Sequence, residues 1–225
     1  MVMRRRGFGR DERGVSLIEG LIVFPLVLTV IITFVEFGYA VFQWSQTGKA
    51  VAVGARLAAV STPVAPGYAT LDDDYVSSST LLAGEPVPAA TVSTSCAIAS
   101  RGAGETYSIC NSDALRFIRG SDGVCNPNYG TGVAGMCDLN PRIEGKNVIV
   151  TYTRAGLGYV GRVSGPVPTV TVQTRDIPFY FFFVGALFGL NRIDMPVSPV
   201  TVTGEDMASC ANPATTATSF STPCP

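Results

Sequence analysis

From Val15 to Val35 the chain is almost entirely apolar and carries a single charge, Glu19. As a helix rising ~1.5 Å per residue, these 21 residues cover ~31 Å, about one hydrocarbon core. A run of this length and composition suits a membrane span. The head before it, MVMRRRGFGRDERG, holds five arginines against Asp11 and Glu12. The positive-inside rule keeps such an end cytoplasmic and sends the remainder across. The expected location is therefore a cell membrane, crossed once, with the carboxy-terminal part extracytoplasmic.

Two simpler uses of an apolar start compete with this. A cleaved secretory signal has an apolar region of about 7–15 residues followed by an A-x-A-like site. Here the run is longer, and Glu36, Phe37, Gly38, Tyr39 and Phe42 come next instead of small residues. An uncleaved signal anchor is the stronger competitor. The helix is expected to continue, because Gln43 to Val60 is rich in alanine and free of proline until Ser61-Thr62-Pro63. A helix over 15–60 would be a rod of ~69 Å. Its second half presents Ala50, Ala52, Gly54, Ala55, Ala58 and Ala59, small side chains suited to close helix packing. Pro25 removes one backbone hydrogen bond and is expected to bend the rod early.

Glu19 has a local reading, since Ser16-Leu17-Ile18-Glu19 matches the S-x-x-E capping box. It also has an intermolecular one. If the chain is trimmed after Gly14, the new ammonium of Val15 on a neighbouring subunit can pair with it. An unpaired carboxylate in hydrocarbon costs several kcal/mol, so such a pair would select one axial register. Glu36 lies ~25 Å further along the helix and is expected at the opposite interface. It is either a plain interfacial acid or a contact for an assembly partner.

Taken together, Arg13-Gly14, Glu19, Pro25, Glu36 with Gly38, and Gly54-Ala55-Arg56 running into alanines resemble the TadE-like family of tight-adherence (Flp-type) pilus systems. The resemblance covers Arg13 to Val60. The chain departs from the family pattern in Gly20 directly after Glu19 and in Val51-Ala52-Val53 before Gly54. The resemblance implies a pseudopilin: a small bitopic protein cut by a prepilin peptidase at Gly14–Val15, with Arg13 and Glu19 used in processing and assembly. Its implied partners are the membrane, the peptidase, other pilin or pseudopilin subunits and pilus assembly proteins. The alternative is an uncleaved, membrane-anchored extracytoplasmic binding or adhesion module.

Residues 61–225 form the expected exported domain after a 1–14 leader and a 15–60 helix. Six cysteines, Cys96, Cys110, Cys125, Cys137, Cys210 and Cys224, all follow the apolar segment, as disulfides in an oxidising compartment would. Six allow fifteen pairings. Spacing alone suggests 96–110, 125–137 and 210–224. Zinc is the weaker use, with no CxxC and no histidine in the chain. Ser61 to Gly145 reads as stapled loops with short elements, such as a helix around 112–118. Strand alternation is clearest over 147–153 and 167–174, with a third strand at 195–203 despite Pro196 and Pro199. The expected fold is α+β: a long amino-terminal helix followed by a small, disulfide-stapled antiparallel sheet packed on its exposed part. A second apolar run, Ile177 to Leu190, is too short to span and is broken by Pro178, Gly185 and Gly189. It is either a core element or a membrane- or partner-facing patch, since its adjacent aromatics cannot all point inward.

Little points to chemistry. The glycines at 130, 132 and 135 have neither a strand before nor a helix after them in this reading. Those at 156, 158 and 161 meet Gly165, Pro166 and Pro168 before a helix could cradle a pyrophosphate, so a hairpin loop suffices. Asp72, Asp73 and Asp74 lack the spacing of a calcium loop and read as a solvated turn. The head has a formal charge of +3 and the remainder −4, which disfavours nucleic-acid binding. Without histidine, and with no activated nucleophile, the chain is expected to be no enzyme and to carry no cofactor or metal.

Overall fold

The computed structural model describes residues 12–76, 81–126, 132–162, 165–189, 192–195, 197–204 and 207. The chain divides into two compact units, Met1–Phe42 with Tyr180–Ile193, and Gln43–Phe179 with Asp194–Pro225.

One helix, α1, runs from Glu12 to Val60 with Pro25 inside it and no interruption. Its first turn lies upstream of Ser16, so Ser16 does not stand at the helix start, where the capping-box reading expects it. After α1 the order is α2 (Asp73–Val76), β1 (Val92–Ala97), β2 (Ser108–Ile109), α3 (Leu115–Arg119), α4 (Met136–Leu139), β3 (Val148–Arg154), β4 (Thr169–Thr174), β5 (Pro178–Phe179), α5 (Phe183–Phe188), β6 (Ile193–Asp194) and β7 (Val200–Thr203). A five-stranded sheet has the order β2-β1-β3-β4-β7, and β5 pairs with β6. All neighbours in the larger sheet are antiparallel except β1 and β2, which run parallel.

The register makes the two faces of this sheet chemically distinct. Cys96 opposes Val150, Val150 opposes Val172, and Val172 opposes Val200. The neighbouring row aligns Tyr152 with Val170 and Val170 with Val202. These residues belong to the core or pack against it. With a period of two, Ser95, Thr151, Thr171 and Thr201 fall on the other face. There Ser95 and Thr151 share a 2.9 Å hydroxyl hydrogen bond, and Thr171 and Thr201 one of 2.8 Å. Cross-strand pairs of this kind are the unit of sheet stabilisation.

The helical contribution to this core is a stripe of small residues. Thr47, Ala50, Val51, Gly54, Ala55, Ala58 and Ala59 are buried, three or four residues apart on one face. A Cβ at Gly54 would lie 2.5 Å from the Met136 sulfur, so the Met136 side chain of α4 fills the space that glycine leaves. The small side chains therefore serve close packing of the chain's own domain on the helix. Two buried polar groups fix the seat. Asn140 Nδ2 donates to Thr47 Oγ1 at 2.7 Å. The Tyr152 hydroxyl accepts from the Val64 N–H at 3.2 Å, holding the chain where it leaves α1. Burial pushes the Tyr152 phenol up to about 12, against the opposing pull of that N–H.

The domain departs from its expected outline in three places. The stretch read as loops contains β1, a full central strand. Asp74 is solvent-exposed, as a solvated turn implies, but it also has a definite partner: its carboxylate meets Arg154 Nη2 at 2.7 Å, and the Arg154 side chain is fully buried. The guanidinium also lies 5.0 Å from the Tyr75 ring centroid. Finally, Gly135 is followed by a helical turn, α4, although Gly130 lies outside the described residues. The glycines at 156, 158 and 161 all have positive φ and lie in the loop joining antiparallel β3 to β4, as a hairpin requires.

Glu105 secures the β1–β2 connection. Its carboxylate accepts from both terminal nitrogens of Arg175 and from the N–H groups of Arg101, Thr106 and Tyr107. The Arg175 hydrogen bonds, ahead of opposing desolvation, hold its acid constant at about 2 rather than 4.5. A carboxyl depressed on folding adds stability that is present above the unfolded value and is lost as pH falls through the folded one. Glu105→Gln should therefore be less stable than wild type at pH 7, with the gap closing between about pH 5 and pH 2. Acid titration of chemical denaturation midpoints tests this; a gap that persists at pH 2 refutes it.

Candidate functional site

Residues 17–42 of α1 form the most exposed apolar surface among the described residues. Leu17, Leu21, Phe24 and Phe34 are each at least 65% exposed, and none of the span's apolar window is buried. The core helix of a soluble protein would bury this face. The helix is long and apolar enough to cross a membrane. It also carries on unbroken into residues that form a folded core, so no extended small-residue cleavage site follows it. Within the span, Thr29 Oγ1 donates to the Pro25 carbonyl and Thr33 Oγ1 to the Thr29 carbonyl, both at 2.8 Å. Bonding four residues back hides each hydroxyl, as hydrocarbon demands.

Arg13, Gly14 and Val15 fall in the first turn of α1. Glu19 is exposed, and no ion pair joins it among the described side chains. Glu36, seventeen residues later, has a partner that its sequence neighbours do not reveal. Its carboxylate accepts three consecutive backbone N–H groups: Phe182, Phe183 at 3.0 Å and Val184 at 2.8 Å. These amides open α5, and the first N–H groups of a helix have no acceptor of their own. A carboxylate there satisfies them and complements the helix dipole. Gly189, in the left-handed region at φ 72°, closes the same turn. The two legible signals were an acid ending a span and an apolar run bounded by Pro178 and Gly189. Their meeting was not legible.

Cys96 bonds Cys110 and Cys125 bonds Cys137, the local pairing suggested by spacing. Those four cysteines are thus closed to zinc. Cys210 and Cys224 lie outside the described residues. Among the described residues no group of three potential metal-ligating side chains converges.

One amino-terminal apolar helix continuing into a disulfide-stapled α+β domain defines the class of protein. Residues 14–56 match the family model for TadE-like proteins, nearly the stretch on which the resemblance rests. No curated protein and no solved structure matches the chain. The match and the apolar helix together fit a subunit associated with a tight-adherence pilus.

Proposed function

We propose that this chain is a minor, pilin-like subunit that is inserted with its amino end in the cytoplasm, trimmed after Gly14 and assembled through its exposed apolar helix. The family match across the Gly14–Val15 bond carries this reading. The five arginines of the head fit retention on the cytoplasmic side, and the two disulfides fit export of the domain to an oxidising compartment. The bond to be cut lies in the first turn of α1, where the N–H groups have no helical acceptor and fraying is cheap. Trimming leaves the Val15 ammonium four positions from Glu19, which is free to pair with the terminus of an axially displaced neighbour.

The intact mass of the protein from membranes tests the reading. Loss of residues 1–14 is expected in cells with the prepilin peptidase, and retention in cells lacking it. A leader kept in both leaves only the anchored-module alternative. Glu19→Ala should be trimmed yet fail to enter the assembly; normal incorporation of the trimmed variant would remove the register role alone.

A further inference from the structure

The segment Tyr180–Gly189 is apolar, exposes two of its aromatic rings and is tied to the helix through Glu36. Phe182 is 91% and Tyr180 58% exposed. A six-residue helix such as α5 extends only ~9 Å, far short of a bilayer. Its opening amides sit on Glu36, the first charged residue after the uncharged run 20–35. Any placement of α1 that keeps 17–35 in hydrocarbon therefore puts the 182–184 backbone at the plane where the helix emerges. The same stretch of α1 exposes Phe37, Tyr39 and Phe42. Aromatic side chains concentrate at this depth in membrane proteins because a ring prefers the boundary to water or to lipid tails.

We propose that Tyr180–Gly189 is a second membrane contact: an aromatic segment lying in the lipid interface and lashed to the span by Glu36. The lash solves two problems of that depth. Three peptide N–H groups that would otherwise face lipid gain an acceptor, and the carboxylate has its charge met by oriented donors instead of hydrocarbon. The exposed rings of Tyr180 and Phe182 then lie in the boundary region, as in other interfacial segments. The inference rests on α1 crossing a bilayer and is independent of any role in a pilus.

The test uses the full unmodified chain in phosphatidylethanolamine–phosphatidylglycerol vesicles containing lipids with a photoactivated carbene precursor, placed either near the headgroup or at the acyl terminus. Peptide mapping should find 17–35 labelled by the deep probe, 180–189 by the shallow probe, and β3 and β4 by neither. Labelling of 17–35 without 180–189 overturns the proposal. Cross-links from 180–189 to a second copy of the chain, in place of lipid, overturn it in favour of a protein interface. If neither segment is labelled, the span itself is wrong. In Glu36→Ala, labelling of 180–189 should fall roughly fivefold, reflecting the lost charge-assisted hydrogen bonds, while that of 17–35 stays constant. Unchanged labelling would remove Glu36 from the account.

Discussion

Gly120→Ala is expected to destabilise the domain by about 3–5 kcal/mol, at the upper end for a single substitution. Gly120 ends α3 at φ 68° and ψ −155°, a backbone region essentially restricted to glycine. An added Cβ would also lie 2.3 Å from the Val133 oxygen and 2.7 Å from the Gly135 nitrogen, both main-chain atoms. Neither can move freely. The Val133 carbonyl accepts from the Ser121 N–H at 2.9 Å, and its N–H donates to Ser121 Oγ at 2.8 Å. The Gly135 N–H donates to Asp138 at 2.7 Å, and the same carboxylate accepts from Asn126 at 2.7 Å. Gly123 supplies the control: its φ is 75°, but nothing lies within 4 Å of an added Cβ. Gly123→Ala should cost about 1–2 kcal/mol, the left-handed penalty alone. Chemical denaturation of the detergent-solubilised chain measures both. Equal losses at the two positions would show that the close approach of α3 to the 133–135 backbone is not what demands glycine.

Replacing Cys96 and Cys110 together by alanine is expected to cost about 3 kcal/mol, from the closure entropy of a loop with separation 14. Both sulfurs are buried in the core, so there is a packing loss as well. The consequence should be local. β2 is only two residues long and pairs with β1 through Cys96–Ser108 and Ala97–Ile109, next to the bridge. With the bridge gone, that parallel edge keeps only the Glu105–Arg175 clamp and a few hydrogen bonds, among them Ser108 Oγ to the Ser95 carbonyl at 3.0 Å and the Cys110 N–H to the Ala97 carbonyl at 2.9 Å. Amide exchange should lose its protection over 108–110 while β3 and β4 keep theirs. Reduction of the wild-type chain should reproduce the pattern. Retained protection at 108–110 would mean that the clamp and these hydrogen bonds hold the edge without the bridge.

What could be read locally was read correctly where one segment's chemistry decided the outcome. The span needed only its own hydropathy, and its extension to Val60 only the absence of a helix breaker before Pro63. Strands β3 and β4 announced themselves by alternation, and the helix near Ser112 appeared as a 3-10 turn leading into α3. β1 was missed because Val92–Ala97 (VSTSCA) is too polar to show a buried face; its burial comes from β3 and from the disulfide. Arg154 shares its parity with Val148, Val150 and Tyr152, so its inward direction was available from the strand pattern. Its counter-ion, eighty positions earlier, was not.

The sequence by itself determined the membrane-type helix, the order of the parts, the two strongest strands and the family resemblance, and its spacing suggested the two disulfides seen among the described residues. Each of these is set by residues within a few turns or a short loop of one another. Tertiary structure alone decided that the alanine stripe of α1 is covered by its own domain, that Asp74 neutralises a buried arginine, and that Glu36 caps a helix 146 positions away. Those outcomes depend on which surfaces meet. A carboxylate or a stripe of alanines has the same local signature whether its partner is solvent, lipid, another subunit or a distant turn of its own chain.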